Sequence, residues 1–155
     1  MQIHQLLAPA RIACSGQASS KKRVLENLAD LLAQGSDQAL DATEIFDSLL
    51  GRERLGSTGL GHGIALPHGR MPYHGPPLAA FVTLKNGVDF DALDGEPVRM
   101  LFALVIPEES TDEHLQILAN LARMFSDGGF REQLMECGAP EDALKAFAHW
   151  APQEP

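Results

Sequence analysis

Gly56-Ser57-Thr58-Gly59-Leu60-Gly61-His62-Gly63-Ile64-Ala65-Leu66-Pro67-His68-Gly69-Arg70 is the stretch on which the rest of the chain depends. Five of its fifteen residues are glycine, against the ~7% usual in globular chains. A short apolar run, Ile64 to Leu66, reads as a strand ending at Pro67, with His68 directly after it. Glycine permits φ > 0 and lets backbone N–H groups approach a ligand closely, and successive N–H groups in such turns form concavities that hold anions. Imidazole is nucleophilic at neutral pH. A histidine beside an anion-binding loop is therefore suited to carry a phosphoryl group, and His68 is the candidate acceptor.

The surrounding composition narrows the possibilities. At 155 residues the chain reads as one domain, 1–155, able to bury roughly 70% of its unfolded surface. A net charge of −9 argues against a nucleic-acid partner and against an anionic membrane surface. Between Arg52 and Arg70, however, three arginines accompany one glutamate, so this window is +2 and the remainder −11. A local positive window around a histidine suits a small anion. Arg52 and Arg54 could equally do no more than terminate a helix, where cations favour the dipole. Cys14 and Cys137 form neither a CxxC nor a disulfide framework, which fits reduced thiols in the cytoplasm. No basic leader precedes an apolar span, and no run approaches the ~20 residues needed to cross a bilayer.

Working outward, an extended segment is expected around Ala10 to Cys14. A helix capped by Ser19 or Ser20 follows, with Val24, Leu25, Leu28, Leu31 and Leu32 at helical spacing and Gly35 as its stop. Lys21, Lys22 and Arg23 occupy the first turn, the wrong end for cations, either as solvated charges or as contacts to a partner. Asp41 and Glu44 form a capping-box-like pair for a second helix that runs out near Arg54-Leu55-Gly56. After a connector at Met71 to Pro77, Leu78 to Lys85 reads as a strand, Asn86-Gly87 as a turn, and Val88 to Pro97 as a further extended piece with a turn at Asp94-Gly95. Val98 to Ile106 is continuous apolar sequence apart from Arg99, as in a central strand buried on both faces. Ser110 and Glu113 mark a helix through Met124 with Leu115, Leu118, Leu121, Ala122 and Phe125 on its core side. Gly128-Gly129 is expected to break this helix, and two short helices follow, Phe130 to Cys137 and Pro140 to Trp150. The pattern is a single-domain α/β sandwich, a sheet of four or five strands flanked by helices.

Of the six histidines, His68 should stand at the exposed carboxyl end of its strand, where open α/β sheets bind ligands. His114 falls in the first turn of the helix after the buried strand, near the positive end of the dipole, which favours neutral imidazole. If the two strands are neighbours, these histidines face one another; otherwise His114 is a capping or core-edge residue. Other motifs fail: the glycines do not place a serine as in GxSxG, and neither dinucleotide nor nucleotide phosphate-loop spacing is present. Zinc could in principle draw on His62, His68, His74 and His114, but paired ligand spacings and a carboxylate-rich open site are missing. No metal and no cofactor are expected.

The motif Gly56-Ser-Thr-Gly-Leu-Gly-x-Gly-Ile-Ala-Leu-Pro-His68-Gly resembles the active-site signature of enzyme IIA of the bacterial phosphotransferase system, of the mannitol/fructose class and its nitrogen-regulatory branch. Ser20-Lys-Lys-Arg-Val-Leu-Glu, Arg52-Glu-Arg, Phe90-Asp-Ala-Leu-Asp-Gly-Glu-Pro-Val, Leu101-Phe-Ala-Leu-Val-Ile-Pro and His114-Leu-Gln-Ile-Leu match in the family's order, from about Leu6 to Trp150. The resemblance implies a mixed sheet and a phosphotransferase component that takes phosphate on Nε2 of His68 from an HPr-like phosphocarrier of the NPr type. It implies that His114 lies beside the acceptor and Arg52 near the phosphate. The glycine-loop amides, Gly61 among them, and Ser57 or Thr58 would help to hold the oxygens. His62 replaces an asparagine common in the nitrogen branch and keeps hydrogen-bonding capacity. With no fused transporter or receiver domain, a cytoplasmic regulator is expected, acting on proteins such as a sensor kinase or potassium transporter without membrane insertion. The alternatives are a sugar-transport IIA that passes phosphate to a IIB partner, and a binding module that works without phosphorylation.

Overall fold

Strand β6, Val98–Pro107, is buried at every position except Arg99 and forms the axis of the sheet. The computed structural model describes residues 2–34, 40–109 and 112–151. Two 3-10 turns, Ile3–Leu6 and Pro9–Arg11, lead into β1 (Ile12–Gly16), α1 (Lys21–Ala33) and α2 (Ala42–Glu53). Three short strands follow, β2 (Gly59–Gly61), β3 (Ile64–Ala65) and β4 (His68–Met71), then β5 (Leu78–Val88) and β6. Helices α3 (Asp112–Phe125), α4 (Gly128–Glu136) and α5 (Pro140–His149) close the chain.

The sheet is mixed and has six strands in the order β1-β5-β6-β3-β2, with β4 also paired to β6. Strands β5 and β6 are antiparallel, with Phe81 opposite Phe102. Strands β1 with β5, β3 with β6 and β4 with β6 are parallel. Side chains alternate between the faces, as a period of two requires. Met100, Phe102, Leu104 and Ile106 pack with Ile117, Leu121, Phe125, Phe130 and Phe147 of α3 to α5. Leu101, Ala103 and Val105 pack with Val24, Leu25, Leu28, Ile45 and Leu49 of α1 and α2. A continuous apolar strand thus feeds two cores at once. The first is largely aromatic, with Phe147 in contact with Phe81, Phe102, Phe125 and Phe130 at centroid distances of 5.1 to 6.1 Å.

The helix starts follow the capping chemistry. The Ser20 hydroxyl accepts from the Arg23 N–H at 3.1 Å, and the Asp41 carboxylate accepts from the Thr43 N–H at 3.3 Å. Gly35 and Ser110, expected as a stop and a cap, lie outside the described residues.

Several local expectations are corrected. The sheet has six strands rather than four or five, because β2 and β4 are too short to register as periodic segments. Asn86-Gly87 lies inside β5 and makes no turn; a Cβ on Gly87 would come within 2.6 Å of the Pro97 Cβ, so this glycine permits a close crossing. Residues 89–97 form a loop, in which the turn at Asp94-Gly95 is present with Gly95 at φ 73°. Helix α3 ends at Phe125, just before Gly128-Gly129, as expected, but the next helix starts at Gly128 rather than Phe130, because the Asp127 carboxylate accepts from the Phe130 N–H and caps it. On α3, Leu115 and Ala122 face outward, while Ile117, Leu121, Met124 and Phe125 are buried.

Candidate active site

His68 does not close the strand before it, as expected, but opens β4. Strand β3 pairs with Met100 and Leu101, and β4 with Leu104 to Pro107, so both run along the same side of β6. Between them, Leu66 and Pro67 interrupt the pairing, with the Leu104 N–H donating to the Pro67 carbonyl at 2.9 Å. At this interruption the His68 Nδ1 lies 2.8 Å from the Leu66 carbonyl. A carbonyl only accepts, so the proton is on Nδ1 and Nε2 keeps its lone pair. The ring is half-buried and is not sealed within the core.

Gly69 lets α2 approach. A Cβ there would collide with the Ser48 hydroxyl, which donates to the Arg70 carbonyl at 3.0 Å. One helical turn beyond Ser48 is Arg52, whose charge acts on His68 and whose Nη1 donates to the Gly56 carbonyl at 2.9 Å. The helix that packs against β4 therefore also delivers the arginine to the histidine.

The glycine loop is held from below by Glu53, which is buried. Its carboxylate accepts from the Thr58 N–H at 3.1 Å, from the Thr58 hydroxyl at 2.7 Å and from Lys21 Nζ at 3.0 Å. Lys21 also reaches Asp91 and the Phe90 carbonyl, both at 3.3 Å, and lies over the Phe90 ring at 4.7 Å. The Ser57 hydroxyl donates to the Phe90 carbonyl at 2.8 Å, and Asp94 accepts from the His62 N–H at 3.2 Å. The 89–97 loop is thus a brace for the glycine stretch. His62 sits at φ 57° between Gly61 and Gly63, in the turn joining β2 to β3.

His114 enters from the third residue of α3. Its ring centroid is 5.5 Å from that of His68, edge to face. Arg70 Nη2 approaches its Nδ1 at 3.1 Å, while its Nε2 is buried and has no hydrogen-bond partner among the described residues. Both imidazoles are held below the ordinary value of 6.5. Burial is the main cause for each. Arg52 adds to it at His68, where the Leu66 carbonyl and Glu53 act in the opposite sense; at His114, His68 and Arg70 add to it. Two neutral imidazoles therefore share the site at neutral pH.

Of the residues singled out from sequence, His68, His114 and Arg52 converge. Ser57 and Thr58 have their hydroxyl protons committed to Phe90 and Glu53, so they shape the loop, and Gly61 lies at the hairpin turn beside Asp94. Among the described residues, no group of three or more His, Cys, Asp or Glu side chains is placed to hold a metal ion. Glu53 and Arg70 were not anticipated. The misplaced cation Lys21 was the available signal for Glu53, since a cation at a helix start needs a carboxylate nearby.

A family model described as the phosphoenolpyruvate-dependent sugar phosphotransferase system, EIIA 2, matches residues 5–150. The chain belongs to this EIIA family. It is 43% identical over 141 residues to a nitrogen regulatory protein of Pseudomonas aeruginosa, covering 91% of each chain. It is 36% identical to a fructose-specific EIIA component of Haloferax volcanii, covering 84% of each. The nitrogen regulatory protein IIA-Ntr from Neisseria meningitidis superposes with a TM-score of 0.87 at 39% identity, over 94% of this chain and 98% of that one. This EIIA chain is a phosphoryl-carrier regulatory component of the phosphotransferase system, and it shares its α/β fold with the Neisseria protein. Among its described residues no helix is long and apolar enough to cross a membrane.

Proposed function

We propose that Nε2 of His68 accepts a phosphoryl group from the phosphohistidine of an HPr-like carrier, and that the modified surface then changes its protein partners. The observation that carries this reading is the 2.8 Å bond from Nδ1–H to the Leu66 carbonyl, which leaves Nε2 as a nucleophile in a half-buried ring. In the transfer the Nε2–P bond forms while the donor's N–P bond breaks, its electron pair staying on the donor imidazole. Arg52 and the Nε2–H of His114 supply charge and a hydrogen bond to the phosphoryl oxygens, so catalysis is positioning and electrostatic stabilisation. Ser57, Thr58 and Gly61 contribute by fixing the shape of the glycine loop that borders the phosphoryl site.

A protein donor is supported by exposed apolar side chains. Among the described residues, the large ones are Leu55, Leu60, Leu93 and Leu115. They stand beside Arg52, in β2, in the bracing loop and next to His114, a distribution suited to a docking rim. Adding nearly two negative charges in their midst alters which surfaces can dock. The nitrogen regulatory names of two relatives favour a cytoplasmic regulator of proteins such as a sensor kinase or transporter over a sugar-transport IIA. Incubation with enzyme I, an HPr-type carrier and phosphoenolpyruvate should place acid-labile phosphate on His68 Nε2. Labelling of His68→Ala as well as wild type would overturn the assignment.

A further inference from the structure

Arg70 lies on the same face of β4 as His68, while Gly69 and Met71 point to the buried side. Its Nη2 is 3.1 Å from His114 Nδ1. A guanidinium has five donors, no acceptor, and does not deprotonate in proteins. Nδ1 must therefore offer its lone pair, and a neutral imidazole then carries its proton on Nε2. The imidazolium is disfavoured as well, since it would set an N–H against an N–H and a cation against a cation. Of the three protonation states open to His114, the contact admits one.

The remaining ring nitrogen supports this assignment. Nε2 is fully buried and has no hydrogen-bond partner among the described residues, although the ring lies 5.5 Å from that of His68. A buried donor without an acceptor is a costly arrangement. It becomes satisfied once an anionic oxygen arrives at His68, so the site holds a donor in readiness.

We propose that Arg70 is a positioning residue that fixes His114 as the neutral Nε2–H tautomer, so that its free donor meets the phosphoryl group carried by His68. The catalytic part of this inference rests on His68 being the acceptor; the tautomer does not.

Long-range nitrogen–proton NMR of the unphosphorylated protein reads the tautomer directly. Wild type should show His114 Nδ1 without a proton and Nε2 with one. Arg70→Lys, which still donates, should keep that signature. Arg70→Glu should reverse it, because a carboxylate demands Nδ1–H. Arg70→Ala should give a mixture and slow transfer from the carrier about 10-fold, with no further slowing in a His114→Ala background. Arg70 is exposed, so these variants should fold, and far-UV dichroism checks that they do. A proton on Nδ1 in wild type overturns the proposal. So does equal slowing by Arg70→Ala with and without His114, which would mean that Arg70 acts on the phosphate or the donor. If wild type labels elsewhere than His68, the acceptor reading fails and the positioning role falls with it, while the NMR result still decides the tautomer.

Discussion

Glu53 receives both the N–H and the hydroxyl of Thr58, at 3.1 and 2.7 Å, from a buried position at the last residue of α2. With Lys21 at 3.0 Å, this carboxylate joins the start of α1, the end of α2 and the glycine loop. Hydrogen bonds to a charged group contribute about 1.5–3 kcal/mol each, and a buried group left unpaired costs more than the bond was worth. Glu53→Ala should lower unfolding free energy by about 2–3 kcal/mol, read from urea titration. Glu53→Gln, which keeps an acceptor for Thr58, should lose about half as much.

Gly69 and Ser48 form a second such pair. A Cβ at position 69 would run into the Ser48 hydroxyl and come within 3.0 Å of its Cβ. Gly69→Ala should push α2 from β4 at a cost of about 1–3 kcal/mol and shift Arg52 relative to His68, slowing phosphoryl transfer. Ser48→Gly removes the side-chain part of the clash and leaves the Ser48 backbone carbon 3.1 Å away, so the double variant should recover part of both losses. Additive effects in the double-mutant cycle would show that the contact does not set the approach of the helix.

The central strand was legible because ten nearly uninterrupted apolar residues admit few other readings, α1 and α2 because their caps and periodic stripes agree, and α5 because Pro140 suits a first helical position. The acceptor histidine was legible because glycines, proline and histidine are adjacent in sequence. The frame around it was not. Glu53 sits between two arginines and looks solvated; only the fold brings Thr58 and Lys21 to it. Arg70 and His114 are separated by 44 residues, and their contact depends on β4 pairing with β6 just before α3 begins. Local signals also misled where tertiary contacts prevailed: Gly87 serves a close approach to Pro97, and Gly128 begins a helix because Asp127 caps it.

The depressed imidazoles make a prediction about acid. In the unfolded chain His68 and His114 take up protons near the ordinary 6.5, whereas in the folded chain they do so only at lower pH. Across that interval the unfolded state binds more protons, so stability falls as pH falls and is flat in this respect above it. Urea midpoints measured from pH 8 downward should decline below about pH 6.5. The decline should be shallower in His68→Gln and shallower again with His114→Gln. Equal slopes in all three would mean that the site histidines are not the groups responsible.

Arg52 has two separable duties, and substitution should divide them. Its Nη1 tethers the Gly56 carbonyl, while its charge faces His68 and lowers that imidazole's affinity for protons. Arg52→Ala should raise the His68 pKa, observable by NMR titration of the ring. It should also slow transfer by about 10²-fold, because developing phosphoryl charge loses its cation. Arg52→Lys keeps the charge but not the planar fork, so the His68 titration should stay near wild type while transfer is only partly restored. Arg52 makes one side-chain hydrogen bond among the described residues, and that bond is exposed, so stability should change by no more than about 1 kcal/mol in either variant. A large loss of stability would assign Arg52 to the scaffold, and an unshifted His68 in Arg52→Ala would show that its charge does not reach the acceptor.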